Sequence, residues 1–419
     1  MTSEIKQRIK QINNGQVPEG YKKTEFGIFP SDWVTDKKLK DIGSFDKGRG
    51  LPGDKMCDSG VPCVGYGDIY MKYNNFHFEK AENFVDEETA SESMPIKKGT
   101  LLFTGTGETA EEIGKCVCYN GDETIYIGGD IITFITNEVN PLFLAYQQYQ
   151  SYSLAKKASF GQGHSVVHIH ADNLEKLNVA YPKSTAEQEK IAEILMKWDK
   201  VIEFQEKTIE KLNTKRDAVV QRIIKKKEGW HKEFLSNILV ERTEFATKED
   251  GYPHASLTMD GVTQKTDRYN RDFLVKSDDK KYKVTHYNDI CYNPANLKFG
   301  VICVNKYEND AIFSPIYVTY EVNPQYNTDF IGSILCSADF IRYIRKYEEG
   351  TVYERQAVKS SDFLRGVIWV PDTKEEQDQI ASIISEINTY IQKQVDYCNS
   401  LKQQRKALQQ YLLNGIVRV

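Results

Sequence analysis

The sequence predicts an α+β protein with a pseudo-two-fold internal repeat: two α/β globular regions held apart by an antiparallel pair of long coiled-coil helices. Three observations predict it. First, from Pro182 to Lys227 there is no internal Pro or Gly, and Ile191, Leu195, Trp198, Ile202, Ile209, Leu212, Val219 and Ile223 keep a seam of period about 3.5. Second, the pattern returns without a gap at an offset of 189. Pro182 becomes Pro371, Glu187-Gln188 becomes Glu376-Gln377, and Ile191-Ala192 becomes Ile380-Ala381. Third, the stretches before each helix carry short Val/Ile/Tyr/Phe-rich runs broken by Gly, Pro, Asn and Asp, as strands and turns do.

The elements follow in order. Residues 1–32 hold a short helix, with Ile5, Ile9 and Ile12 on one face, and a linker rich in turn residues. That stripe is too small to be stable alone, so the helix should dock on an end of the long pair. Residues 33–181 form the first globular region, opened by Trp33, and residues 230–370 form the second, opened by Trp230. The central helix occupies 182–229 and the distal helix 371–419. Ser184 with Glu187 reads as a reciprocal N-cap. A helix of this length spans roughly 60 Å at about 1.5 Å per residue, and its narrow stripe needs a partner helix. The distal seam, Ile380, Ile384, Ile387, Ile391, Cys398, Leu401, Leu408 and Leu412, supplies it. Two seam positions are polar in both copies, Gln205 and Arg216, then Gln394 and Arg405. Such residues cost stability but fix register.

The repeat extends into the globular regions. Lys98 to Phe103 matches Tyr287 to Tyr292 as a turn followed by a buried strand, Gly161 matches Gly350, and Val179 matches Ile368. The two regions have otherwise diverged, as two heads of different specificity on one ruler would.

A net charge of -5 argues against a wholly basic coat protein but leaves room for a basic face. The start of the chain is polar rather than signal-like, and no apolar run approaches a membrane span. Eight cysteines without a CxxC pair fit reduced thiols in the cytosol, with Cys116 and Cys118 as strand residues of the core. His164, His168 and His170 lack a placed fourth ligand for zinc. Lys225-Lys226-Lys227 reads either as helix-end lysines or as phosphate contacts.

Catalytic strings are scarce. Gly105-Thr106-Gly107 is not followed by the Gly-Lys-Ser/Thr of a phosphate cradle. Asn293-Pro294-Ala295-Asn296 resembles the Asn-Pro-Pro-aromatic signature of DNA adenine methyltransferases but departs from it at both later positions. What remains fits binding. Lys47 and Arg49 in the first region, and Lys265, Arg268 and Arg271 in the second, lie in loops interleaved with tyrosines such as Tyr66. Thr104 and Thr106, and their counterparts Asn293 and Asn296, follow equivalent strands. Arg reads guanine edges, Asn reads adenine, and Lys and Tyr hold phosphates. These ten residues are the candidate DNA contacts. No catalytic or metal residue is assigned.

The string Gly20-Tyr21-Lys22-Lys23-Thr24-Glu25-Phe26-Gly27, with Pro30 and Trp33, resembles the N-terminal signature of type I restriction-modification specificity subunits. The two Pro…Glu-Gln…Ile-Ala strings resemble that family's central and distal repeats, and Leu412 to Val419 its tail, with Asn414 and Ile416 as departures. The resemblance implies two target recognition domains, each reading half of a bipartite, asymmetric double-stranded DNA site, with the helices setting the gap. It implies two methylating subunits and added motor-nuclease subunits as partners. S-adenosylmethionine, magnesium and ATP are then expected on those partners alone. Two other readings stay open: a self-sufficient DNA adenine methyltransferase, and a coiled-coil scaffold with two protein-binding heads.

Overall fold

The run without Pro or Gly folds as one helix, Thr185–Ile223, and its repeat as a second, Lys374–Leu413. In this computed structural model, residues 2–73, 76–163, 166–258, 261–264, 281–349 and 356–419 are described. Two compact units emerge: Met1–Glu206 with Tyr397–Val419, and Lys207–Asp396. Each long helix therefore gives one segment to each unit.

The first unit holds two large sheets besides two two-stranded ones. The larger runs Gly43–Lys47, Ile131–Thr136, Leu101–Thr104, Cys116–Tyr119 and His77–Phe78, antiparallel except for the last pair. The smaller runs Asn83–Val85, Val61–Val64, Ile125–Ile127 and Met94–Ile96. Central strands of the larger sheet are buried on both faces, and period-2 alternation divides their side chains between two cores. Leu102, Val117 and Tyr119 pack with Val64, Ile96 and Ile127. Leu101, Phe103, Cys116 and Cys118 face the other way, into a core with Trp33 and Phe143. Ile191, Ala192 and Leu195 of the first long helix and Leu412 and Leu413 of the second complete that same core. The two cysteines are core residues, as their alternation predicts.

The second unit carries a four-stranded antiparallel sheet, Leu239–Glu241, Val318–Val322, Ile290–Tyr292 and Ile302–Val304, and a three-stranded one, Phe245–Ala246, Tyr282–Thr285 and Ala311–Phe313. Its main core includes Trp230, Tyr292, Tyr320 and Phe330, with Ile380, Ala381 and Ile384 from the second long helix. Val220 and Ile223 of the first long helix pack against it. The seam prediction needs one correction here, since Val219 is exposed and Val220 turns inward. A nearly straight helix of 3.6 residues per turn drifts from a strict 3.5 repeat, so the inward position moves on by one residue after several turns.

The repeat has a physical basis in one joint. In the first unit the buried Gln188 accepts the Asn140 N–H at 2.7 Å, and Asn140 caps the helix Pro141–Gln147 by accepting from Phe143 N. In the second unit Gln377 accepts the Asn327 N–H at 2.9 Å, and Asn327 caps Thr328–Leu335 through Phe330 N. The repeated Glu-Gln is thus the pin between head and helix. The paired turns match as well. Gly99 (φ 87°) and Asn288 (φ 69°) both adopt left-handed backbone, and both N–H groups donate at 2.8 Å, the first to Tyr119 O at the end of strand Cys116–Tyr119 and the second to Asn305 O just past strand Ile302–Val304. Glycine and asparagine are the residues that tolerate this conformation. Gly350, the expected partner of Gly161, lies outside the described residues.

The capping expectation holds in part. Ser184 Oγ accepts from Glu187 N at 3.3 Å, but the Glu187 carboxylate receives the Arg418 guanidinium, at 2.6 Å and 2.9 Å. Arg418 also binds both carboxylate oxygens of Asp32. The N-terminal helix, Ser3–Asn13, docks as expected on a helix end: Arg8 donates to Ile416 O, and Tyr21 Oη donates to Gly415 O. No helix among the described residues is long and apolar enough to cross a membrane.

Candidate nucleic-acid interface

Four loop segments of the first unit converge on one surface. Gly48 N donates to Ile131 O at 2.8 Å, and a side chain at Gly48 would collide with Gly128 O, so only glycine lets these loops touch. Gly105 N donates to Asp130 O at 2.8 Å, and Ile169 N donates to Gly105 O at 3.0 Å. Thr106–Gly107 pairs antiparallel with Val167–His168. The result is a small cavity of about 110 Å³ whose lining includes Lys47, Thr106, Asp130, His168 and His170. Thr106 Oγ1 lies 3.2 Å from His168 Nδ1.

The predicted contacts divide on this surface. Lys47 and Arg49 are exposed at the end of strand Gly43–Lys47 and in the turn after it. Thr106 is half-buried at the cavity, and Tyr66 is exposed at the start of helix Tyr66–Met71. Thr104 is corrected by the structure. It is fully buried, its hydroxyl bonds Tyr70 Oη at 2.7 Å, and it accepts Lys115 N at 3.0 Å. It supports the loop rather than facing a ligand. Tyr70 also donates to Thr106 O at 3.1 Å, and burial raises its pKa.

In the second unit Asn293 is buried, and its side-chain oxygen accepts Ala295 N at 3.1 Å to close the turn. It is therefore not turned outward to hold a base amine, whether as a contact or in the methyltransferase manner. Asn296 is exposed on the same turn. Lys265, Arg268 and Arg271 lie outside the described residues, as does His164. Among the described residues no three His, Cys, Asp or Glu side chains are grouped to hold a metal ion.

Sequence reasoning missed several residues. His168 and His170 border the cavity of the first unit, and their signal was the short His-X-His spacing, read as metal chemistry alone. Lys157 is fully buried and donates to Gly114 O at 2.8 Å, pinning the turn between Thr106 and Cys116, and burial pushes its pKa down to about 8. Phe299, 60 % exposed, stands beside Lys298 at the tip that follows Asn296.

The polar seam residues differ between units. In the first, Arg405 is buried, with Nε 2.8 Å from Asp199 Oδ1, and its guanidinium lies over the Phe76 ring at 4.1 Å. It donates to Gln409 as well, and Tyr146 Oη donates to Asp199 at 2.7 Å. In the second, Arg216 is half-exposed and bonds its neighbour Asp217 at 2.7 Å. Gln205 is buried in the first unit and Gln394 is half-buried in the second.

Comparison with known proteins agrees with this architecture. Residues 30–214 match the family model described as the type I restriction modification DNA specificity domain. A protein of Methanocaldococcus jannaschii, named for the specificity subunit of the type I restriction enzyme MjaX, is 27% identical over 236 residues. That match covers 54% of this chain and 53% of the relative, so the likeness spans about half the relative's length. Two solved structures share the fold. One is the S subunit of a type I restriction-modification system from M. genitalium (TM-score 0.52, 14% identity, 91% of this chain and 96% of that one). The other comes from work on assembly and conformational transition of the type I system (TM-score 0.57, 10% identity, 96% of this chain and 100% of that one). Residues 30–214 thus carry the likeness to the type I restriction modification DNA specificity domain, and the rest of the chain shares the fold of the two solved structures.

Proposed function

We propose that this chain is the DNA-reading, non-catalytic subunit of a type I restriction-modification complex in the cytoplasm. Residues 33–181 and 230–370 are its two target recognition domains, each reading one half of a bipartite, asymmetric site. Residues 182–229 and 371–419 form the spacer, with Gln205, Arg216, Gln394 and Arg405 setting its register. Two methylating subunits act on adenine with S-adenosylmethionine, and motor-nuclease subunits cut with ATP and magnesium. The observation that carries this reading is the repeated joint: the same Gln-to-Asn-cap contact fixes two otherwise dissimilar heads to matching helices. In the first head the contact surface comprises Lys47, Arg49, Tyr66 and Thr106, with His168 and His170 beside them. In the second it includes Asn296 and the loop of Lys265, Arg268 and Arg271. Methylation-site sequencing in a host carrying this chain with its partner subunits tests the proposal. The expected motif has two unlike blocks separated by a fixed gap. A single-block or symmetric motif refutes it.

A further inference from the structure

The two helix ends differ in a way the repeat makes visible. In the first unit the second long helix ends at Leu412-Leu413, and Leu413, Gly415 and Ile416 are buried. The N-terminal helix and hairpin cover this end through the Arg8 and Tyr21 hydrogen bonds. The second unit has no counterpart to residues 1–32, because the chain runs from the helix directly to Trp230. At the repeat-related end, Asn414, Gly415 and Ile416 are replaced by Lys225, Lys226 and Lys227, all exposed.

A fourth ammonium converges there. Lys226 Nζ lies 4.3 Å and Lys232 Nζ 5.4 Å from the Trp369 ring centroid, and Lys227 Nζ lies 5.6 Å from that of Trp230. Among the described residues no carboxylate forms an ion pair with Lys225, Lys226, Lys227 or Lys232. Nearby acids are engaged elsewhere: Asp372 with His231, and Glu376 with the Trp230 indole N–H. Glu228 is the one acid within the run. A helix dipole favours one or two cations in its last turn. It does not account for four unneutralised ones, one of them on a separate strand, in a chain of net charge -5. We propose that this patch binds the phosphate backbone of double-stranded DNA, outside the base-reading loops. The two indoles orient the flexible lysine stems, and the lysines act as point charges on phosphate without reading sequence.

This inference rests on the DNA-binding reading above. The test measures binding of the full chain to a short non-specific duplex from about 50 to about 200 mM salt. Lys225, Lys226 and Lys227 are changed together to Gln in one variant and to Arg in a second. The Gln variant should flatten the slope of log affinity against log salt by about 2 to 3, since each phosphate left without its lysine lowers the slope by about 0.9. The Arg variant should restore it, and thermal melts of both should match the parent. A parent that binds steeply with a Gln variant of equal slope overturns the patch alone. A parent with no salt-dependent DNA binding overturns the DNA reading with it. A Gln variant that keeps the slope but no longer associates with a partner subunit assigns the patch to protein and overturns the proposal.

Discussion

Asp199 and Arg405 lie 206 residues apart in sequence, and their side chains meet at 2.8 Å in a buried ion pair. The repeat relates Asp199 to Asn388 and Arg405 to Arg216. In the second unit Asn388 and Arg216 line a cavity of about 390 Å³ with Val220, in the place of Gln409, and Ser333, which stands six residues after the Asn327 cap as Tyr146 does after the Asn140 cap. One unit has neutralised this arginine with a buried carboxylate, and the other carries an uncharged asparagine at the matching position.

Removing one partner from a buried pair leaves the other charge uncompensated. Asp199→Asn, which copies the second unit, should cost about 3 kcal/mol in urea unfolding of the full chain. The reciprocal Asn388→Asp meets a half-exposed arginine and should change stability by less than about 1 kcal/mol. Equal effects from the two changes would contradict the asymmetry.

The matched turns give a second test. Gly99→Ala forces a Cβ into left-handed backbone and should cost about 1–2 kcal/mol, with no clash, since the nearest atom to that Cβ is Pro141 Cγ at 3.4 Å. Gly99→Asn, the residue of the second unit, should be tolerated better, and Asn288→Gly should be close to neutral. Thermal melts of the three variants check the order.

His286 predicts a pH dependence. Its Nε2 lies 2.8 Å from Glu244 and its Nδ1 2.8 Å from Asp310. Burial pulls its pKa down, but the hydrogen bonds to Glu244 and Asp310 outweigh burial, and the net shift is upward from 6.5. A raised folded pKa means that the contribution is complete below the unfolded value and fades as pH rises through the folded one. The stability gap between parent and His286→Gln should therefore be widest in mild acid and close above neutrality. A gap independent of pH would contradict the assignment.

At the proposed interface, exposure and burial should separate cleanly. Arg49→Ala should weaken DNA binding in the assembled complex and leave the melting temperature within the scatter of surface changes. Thr104→Val should do the reverse, costing about 1–3 kcal/mol because Tyr70 Oη and Lys115 N lose a buried partner. Loss of DNA binding by Thr104→Val at full stability would make Thr104 a DNA-facing residue after all.

What the sequence made legible was whatever obeyed a period. The seam, the 189-residue offset and the Glu-Gln pin are regular constraints, and each has a counterpart in the structure. Even there, Val219 and Val220 exchanged roles because a real helix is not wound at 3.5. The interface was legible only in outline. Thr104 and Thr106 look alike in sequence, and their fates are set by Tyr70 and Lys115, which arrive from other strands and loops. Asp199 sits one residue off the seam, and nothing local marks it as the partner of Arg405. Pairings between residues far apart in sequence are decided by packing, which a local pattern does not encode.

The tail has a consequence for how the molecule is made. The second unit is one continuous stretch, Lys207–Asp396, whereas the first needs Tyr397–Val419 to complete its core. During synthesis the head that emerges first therefore waits for the last residues of the chain, including Arg418 with its grip on Glu187 and Asp32. The later-made unit has all its parts sooner. Order of completion is thus inverted relative to order of appearance, and a stop before Tyr397 would remove core residues of the N-terminal head while leaving the other unit's stretch intact.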